Sequence, residues 1–212
     1  MIAGQTMQTV GGTEVMLFPL DEMYITQGEG GALSHMLAMD FVGWDGTMQI
    51  NNYPYYAPCT CICKDKNVNQ AWLVFESVNE VLCADGISRY VTFVVMHDNN
   101  MLYNIGDIVQ QGQILGHTGT AGYVTGDHMH LNTAYGKYQG WTTGYTFNEL
   151  LNSSHIYDTC FVNDTTMFHD LGYSWKTYTG PLFKKGNNWK KWILSKSKKI
   201  TLKYWNRFYY VI

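Results

Sequence analysis

The pattern of hydrophobic and polar positions along the 212 residues predicts short β-strands separated by turns. Runs that are rich in β-branched and aromatic residues and bounded by turn residues are typical of strands. The composition of Val91–Val95 indicates a strand that is buried. Further runs that predict strands lie at Tyr24–Thr26, Met39–Val42, Cys59–Cys63, Ala71–Ser77, Tyr90–Met96 and His128–Thr133. The chain is therefore predicted to be mostly β, with an antiparallel sheet at its centre.

Glycine residues shape the stretch that precedes the last of these strands. Between Ile105 and Gly116 they separate short apolar pairs, which predicts two short strands with a turn before each. The next segment, Gly119–Gly126, is predicted to be a loop. With 46% hydrophobic and 15% aromatic residues, the chain has enough apolar side chains for a packed core. This composition excludes wholesale disorder.

Charge is distributed unevenly along the chain. All 17 acidic residues lie within residues 1–170, whereas 10 of the 14 basic residues lie within residues 171–212. Lysine and aromatic residues also become dominant from about residue 155 onward. These shifts predict one domain over residues 1–154 and a basic, aromatic C-terminal segment over residues 155–212.

Three interpretations of this C-terminal segment are open. It attaches the protein to an anionic surface or to another protein, or it packs against the acidic first domain. Interleaved basic and aromatic residues also suit nucleic acid, which we rank last. The spacing within Lys190–Tyr210 admits an amphipathic helix as well.

The cysteines and the start of the chain indicate where the protein is made. An odd number of cysteines, five in all, does not predict a disulfide framework. Cys59, Cys61 and Cys63 would share one strand face, but they lack the C-x2-C spacing of zinc sites, so buried thiols are favoured. No secretory signal and no apolar run of about 18 residues are present. We therefore expect synthesis in a reducing cytoplasm and no transmembrane segment.

Histidine residues provide the candidate chemistry. His128 and His130 are spaced so that both side chains point to one face of the predicted strand. Imidazole is a common zinc ligand, although two solvent-facing histidines would give the same pattern. His97 ends the buried strand, His35 lies in a glycine-rich loop, and Asp40 begins another strand. A carboxylate with two imidazoles forms a catalytic zinc site that leaves a fourth position for water.

Four stretches, in this order, resemble the M23 family of zinc peptidases, which includes lysostaphin and LytM. The first runs from Ile25-Thr26-Gln27-Gly28 through His35 to Ala38-Met39-Asp40-Phe41, and the second is Tyr56-Ala57-Pro58. The third is Val94-Val95-Met96-His97. The fourth runs from Ile105-Gly106-Asp107 through the glycine-rich segment to Asp127-His128-Met129-His130. The resemblance covers about residues 15–135.

The resemblance implies a fold and a role for each matched residue. It implies an antiparallel sheet of the lysostaphin and LytM type with a groove, and a bound Zn²⁺. His35, Asp40 and His130 would be the metal ligands. His128 would be the catalytic general base, and His97 would be catalytic by stabilising an oxyanion or positioning a water.

One departure from the family pattern concerns the first two ligands. The common spacing is His-x3-Asp, whereas this chain has His35-x4-Asp40. Along an ideal strand, this spacing would point the two side chains to opposite faces. We therefore expect His35 to lie in the loop, with a bend or bulge that directs it towards Asp40.

The resemblance implies a zinc endopeptidase that hydrolyses peptide cross-links of bacterial peptidoglycan. The missing leader favours a bacteriophage product made in the host cytoplasm. Such a product would act at the cell wall, as a tail-tip component of the virion or as an endolysin. Its expected partners are peptidoglycan peptides, with phage tail proteins or anionic wall polymers bound by the basic segment. The alternative is a structural tail or virion protein that carries an inactive peptidase fold.

Overall fold

A computed structural model describes residues 1–31, 35–142, 149–162 and 172–178, and the backbone of two strands near the C-terminus. The elements are β1 (Met23–Gln27), β2 (Ala38–Trp44), β3 (Gln49–Ile50), β4 (Pro54–Tyr56), β5 (Cys61–Asn67), β6 (Trp72–Ser77), β7 (Val81–Leu82), β8 (Ser88–Arg89), β9 (Val91–Met96), β10 (Ile108–Val109), β11 (Ile114–His117), β12 (Met129–Tyr135), β13 (Ser153–Ser154), α1 (Ile156–Thr159), β14 (Leu202–Trp205) and β15 (Phe208–Val211).

A large antiparallel sheet organises the molecule, which confirms the predicted fold class. Its strands follow the order β1-β2-β12-β9-β6-β5-β10, with β3 beside β2 and β13 beside β12. All of these pairs are antiparallel. The predicted buried strand is β9, which lies near the middle of the sheet between β12 and β6. The two short strands predicted between Ile105 and Gly116 are β10 and β11.

Side chains alternate between the two faces of this sheet. Leu131 is paired with Met39 on one side and with Val95 on the other, and all three point into the main core. The neighbouring position on β12 is His130, which is paired with Asp40 and with Met96. Because directly paired residues point to the same side, this second row shares the face opposite the main core. Strand alternation thus places Asp40 and His130 on the face of the sheet opposite the main core.

Packing of the core continues beyond residue 154. Ile156 and Cys160 are fully buried in the main core, and Val162 is also buried there. Tyr173 and Trp175 pack against the same core. The division of the chain into two domains at residue 154 stays a prediction.

The C-terminal strands bear on the helix that was considered for the basic segment. Strands β14 and β15 pair with each other, so the helix considered over Lys190–Tyr210 is wrong for the described part of that span. Both strands are rich in aromatic residues, which favour extended structure. Residues 190–201, 206 and 207 lie outside the described part.

All five cysteines are free and buried. Within the described part, no helix is both long and apolar enough to span a membrane.

Candidate metal centre

Asp40 and His130 are brought together by strand register. The two residues are paired across β2 and β12, and His130 Nδ1 lies 2.9 Å from Asp40 Oδ1. Both side chains are buried. The pairing of β2 and β12 therefore fixes these two donors relative to each other.

His35 reaches the same carboxylate from the loop before β2. Its Nε2 atom lies 2.9 Å from Asp40 Oδ1. The backbone bends at Met36 and Leu37 immediately before the strand begins. This is the predicted bend. It brings the side chains of His35 and Asp40 together although they are five positions apart in the sequence. The neighbouring β1 also contains a register shift between Ile25 and Gln27.

Gln27 is a residue that the sequence analysis did not single out. It is paired with Asp40 across β1 and β2, and its amide nitrogen Nε2 lies 2.9 Å from His35 Nδ1. If Nε2 of His35 binds a metal, Nδ1 carries the proton and needs an acceptor, and Gln27 supplies one when its amide is turned so that Oε1 takes the place of Nε2. Nothing in the sequence distinguishes this glutamine from the other polar residues of the matched stretch.

His128 and His97 lie beside these donors, and each is held through Nδ1. His128 Nδ1 lies 2.8 Å from Gly126 O, and His97 Nδ1 lies 2.9 Å from Ala121 O. A carbonyl oxygen can only accept, so Nδ1 is the donor in both rings and Nε2 is left for other partners. The two rings are 4.5 Å apart, and His128 Nε2 lies 3.5 Å from Asp40 Oδ2.

Asp127 fixes the start of the strand that carries His128. Thr118 Oγ1 donates to Asp127 Oδ1 at 2.5 Å, and Asn52 N donates to Oδ2 at 3.2 Å. Backbone bonds in both directions between Gly119 and His128 close this part of the site. The glycine-rich loop is thereby attached to the histidine pair.

The backbone at His97 has an unusual conformation. Its φ angle is 80°, in the left-handed region that favours glycine, and such residues cost about 1–3 kcal/mol. The conformation is held because His97 N donates to Ala71 O at 2.8 Å and His97 O accepts from Ala121 N at 3.1 Å. Backbone strain of this kind is common at functional sites.

The charges in the site depend on its burial. Burial raises the pKa of Asp40, but hydrogen bonds from His130 and His35 outweigh that effect and keep this pKa well below its usual range. Burial lowers the pKa of His97 to about 4. At neutral pH, Asp40 is therefore an anion and His97 is an uncharged imidazole.

The donor set fits a metal ion. The donor atoms of His35, Asp40 and His130 all lie within 4.8 Å of one another. Two atoms bound about 2.1 Å from one zinc at the tetrahedral angle lie about 3.4 Å apart, so the observed separations need little adjustment. Within the described residues, this is the one group of histidine, cysteine and acidic side chains with such an arrangement. The buried thiols do not form a second one there.

A bacteriophage protein is similar to this chain in sequence. Morphogenesis protein 1 of Bacillus phage B103 is 44% identical over 178 residues. The match covers 82% of this chain and 47% of the phage protein, so the chain spans about half the length of this relative. No protein-family model matches the chain.

Several solved structures are also similar. The catalytic domain of the prophage-encoded M23 protein EnpA from Enterococcus faecalis is 15% identical, with a TM-score of 0.42 over 61% of this chain and 88% of that chain. A zinc-containing peptidase from Vibrio cholerae is 17% identical, with a TM-score of 0.40 over 59% and 39%. The catalytic domain of lysostaphin from Staphylococcus simulans is 20% identical, with a TM-score of 0.39 over 55% and 80%. Peptidases of the M23 type thus stand among the solved structures similar to this chain, and a phage morphogenesis protein is its relative in sequence.

Proposed function

We propose that this chain is a zinc-dependent endopeptidase that hydrolyses peptide cross-links of bacterial peptidoglycan. The observation that carries the proposal is the convergence of His35 Nε2, Asp40 Oδ1 and His130 Nδ1 on one point, with two further imidazoles beside it. The order of the motifs along the chain supports the same conclusion. His35, Asp40 and His130 would hold the zinc ion.

His128 and His97 would transfer the proton and position the water in this reaction. Bound zinc would supply a Lewis acid and lower the pKa of a water molecule. His128 accepts a proton at Nε2, because its Nδ1 already donates to Gly126 O. His97 Nε2 is likewise an acceptor, since its Nδ1–H donates to Ala121 O and its pKa of about 4 keeps it neutral. Of its two predicted roles, positioning a water therefore fits better than donating to an oxyanion.

We further propose that the protein acts as part of a bacteriophage. The relative in phage B103 is named a morphogenesis protein, which favours a virion component, with an endolysin as the alternative. Attachment of residues 155–212 to tail proteins or to anionic wall polymers belongs to this proposal. The same relative favours the second candidate function, a structural virion protein with an inactive peptidase fold.

Removal of the metal separates the two candidates. We expect that treatment with a chelator such as 1,10-phenanthroline abolishes the loss of turbidity of purified cell walls. Readdition of Zn²⁺, and not of Mg²⁺, should restore it, because nitrogen donors suit zinc and hard oxygen donors suit magnesium. Cleavage that survives chelation would rule out the zinc mechanism. Bound zinc without cleavage of any wall would favour the structural role, and mass spectrometry of released peptides would identify the bond.

Gly119 provides a test of the placement of His97 beside His128, because its backbone also exchanges two hydrogen bonds with His128. A Cβ atom at this position would lie 2.2 Å from His97 O, so alanine would displace the His97 backbone. A displacement of about 1 Å at a reacting group costs roughly a hundredfold in rate. We expect Gly119→Ala to lower the initial rate of wall cleavage by about that factor while bound zinc is retained.

Gly11→Ala is the control for this prediction. Gly11 lies outside the candidate site, and a Cβ atom there meets only Thr9 Oγ1, at an ordinary contact distance of 3.7 Å. Its cleavage rate should equal that of the wild type. Equal rates for the two alanine variants would contradict the placement of His97.

A further inference from the structure

The loop that carries His35 is tied to the segment after residue 154 through Glu29. The Glu29 side chain is only 5% exposed. Its Oε1 accepts a hydrogen bond from Ile156 N at 3.1 Å, and its Oε2 lies 2.5 Å from His155 Nδ1. Tyr173 OH donates to the backbone oxygen of Glu29 at 3.1 Å. Three contacts thus join the start of the loop to a distant part of the chain.

The other side of these contacts is firmly packed. Ile156 is fully buried in the main core. The ring of His155 stacks on Tyr157 with centroids 4.8 Å apart, and Tyr157 stacks on Tyr173 at 5.5 Å. Glu29 is therefore bound to a part of the molecule that cannot move without disturbing the core.

Glu29 is also close to the bond that closes the loop. Its neighbour Gly30 donates its N–H to His35 O at 2.8 Å. At the far end of the loop, Leu37 N donates to Glu149 Oε1 at 2.8 Å. The side chains of Glu29 and Glu149 therefore fix the two ends of the loop, and His35 lies between these ends. Neither glutamate belongs to a sequence motif.

We propose that Glu29 is a positioning residue, which with His155 and Ile156 holds the His35 loop in the conformation that binds the metal. The proposal rests on the proposed function, because it takes His35 as a zinc ligand. Without these bonds the loop would sample other conformations, and the apparent zinc affinity would fall by the fraction of time that His35 is away. Metal binding would then depend on His155, Ile156 and Tyr173, which lie outside the M23-like stretch.

Three variants at two sites test this role. Glu29→Leu removes both side-chain hydrogen bonds, whereas Glu29→Gln keeps an oxygen for Ile156 N and an amide N–H that can donate to His155 Nδ1. Glu14→Leu is the matched control, because Glu14 also receives two hydrogen bonds, from Thr60 N at 2.7 Å and from Thr60 Oγ1 at 2.6 Å. Glu14 makes these bonds to a different loop.

The measurement is the zinc dissociation constant of each purified full-length protein, in competition with a chelating dye. Loss of an outer partner of a zinc ligand costs about 10–100-fold in affinity, and Glu29→Leu should lie near tenfold because it acts through the backbone. Glu29→Gln and Glu14→Leu should bind zinc as the wild type does. In the metal-free proteins, hydrogen exchange of the Gly30 amide should be faster only in Glu29→Leu.

The outcomes separate this proposal from the proposed function. A wild type that binds no zinc would overturn both. Normal zinc affinity in Glu29→Leu, or an equal loss in Glu14→Leu, would overturn the positioning role alone. If Glu29→Leu does not fold, His155→Phe keeps the ring stack and removes one hydrogen bond. It should weaken zinc binding roughly threefold, and unchanged affinity would again overturn the role.

Discussion

Replacement of His128 by alanine is expected to lower the rate of wall cleavage by about 10²–10⁴-fold, the range that general acid–base catalysis contributes. The reason lies in the geometry of the ring. Its Nδ1 is held by Gly126 O, which leaves Nε2 directed at the site, 3.5 Å from Asp40 Oδ2. Because His128 is not one of the three converging donors, the variant should keep its full zinc content.

The measurement pairs the initial rate of turbidity loss with the zinc content of the same preparation. His117→Ala is a suitable control, since His117 lies at the end of β11 and outside the cluster of histidines. It should cleave walls at close to the wild-type rate. Cleavage by His128→Ala at the wild-type rate would contradict the proposed base, and loss of zinc in this variant would instead make His128 a ligand.

The sequence was sufficient to predict the central sheet and the two residues that the sheet positions. Alternation within β2 and β12 follows from the period of two residues in a strand, and this period places Asp40 and His130 on the face opposite Met39 and Leu131. The strand that ends at His97 was equally predictable from its apolar composition. These features depend on local pattern, which is visible in a single chain.

Other parts of the site depend on contacts between distant segments. Gln27 contacts His35, and Glu29 contacts His155. The conformation of the loop that brings these residues together is not specified by any local sequence pattern. The left-handed backbone at His97 likewise depends on hydrogen bonds from two other loops. Non-glycine residues rarely adopt this conformation, so sequence preference argued against it. Such features become visible only when the tertiary structure is known.

The residues after 154 make contacts that composition does not indicate. Their lysine-rich, aromatic character predicts a separate segment, and this division stays a prediction, but Ile156 and Cys160 just beyond the predicted boundary lie fully buried in the main core. Single apolar residues between polar ones do not produce a clear hydrophobic periodicity in a sequence window, so their burial is not predicted. Glu29 joins this segment to the loop that carries His35, a contact that composition does not indicate.

Replacement of Asp40 by asparagine is expected to remove zinc binding and, with it, cleavage. Asparagine has nearly the same shape, so the strand pairing with His130 should persist. The charge is lost, however, and Asp40 is the anion around which His35, His128 and His130 are arranged. Substitution of outer partners already costs about 10–100-fold in metal affinity, so loss of a ligand charge should exceed a hundredfold.

Zinc titration of the purified Asp40→Asn protein, followed by its thermal unfolding, tests this expectation. A ligand that binds only the folded state raises the unfolding temperature, so zinc should stabilise the wild type and leave Asp40→Asn unchanged. Asp45→Asn is the control, because Asp45 is fully exposed just beyond β2 and its carboxylate only accepts bonds from Thr47 and Met48. Zinc should stabilise that variant as it does the wild type. Equal stabilisation of Asp40→Asn would show that the metal does not bind at this carboxylate, because an uncharged amide cannot replace the anion that two imidazoles and a divalent cation require.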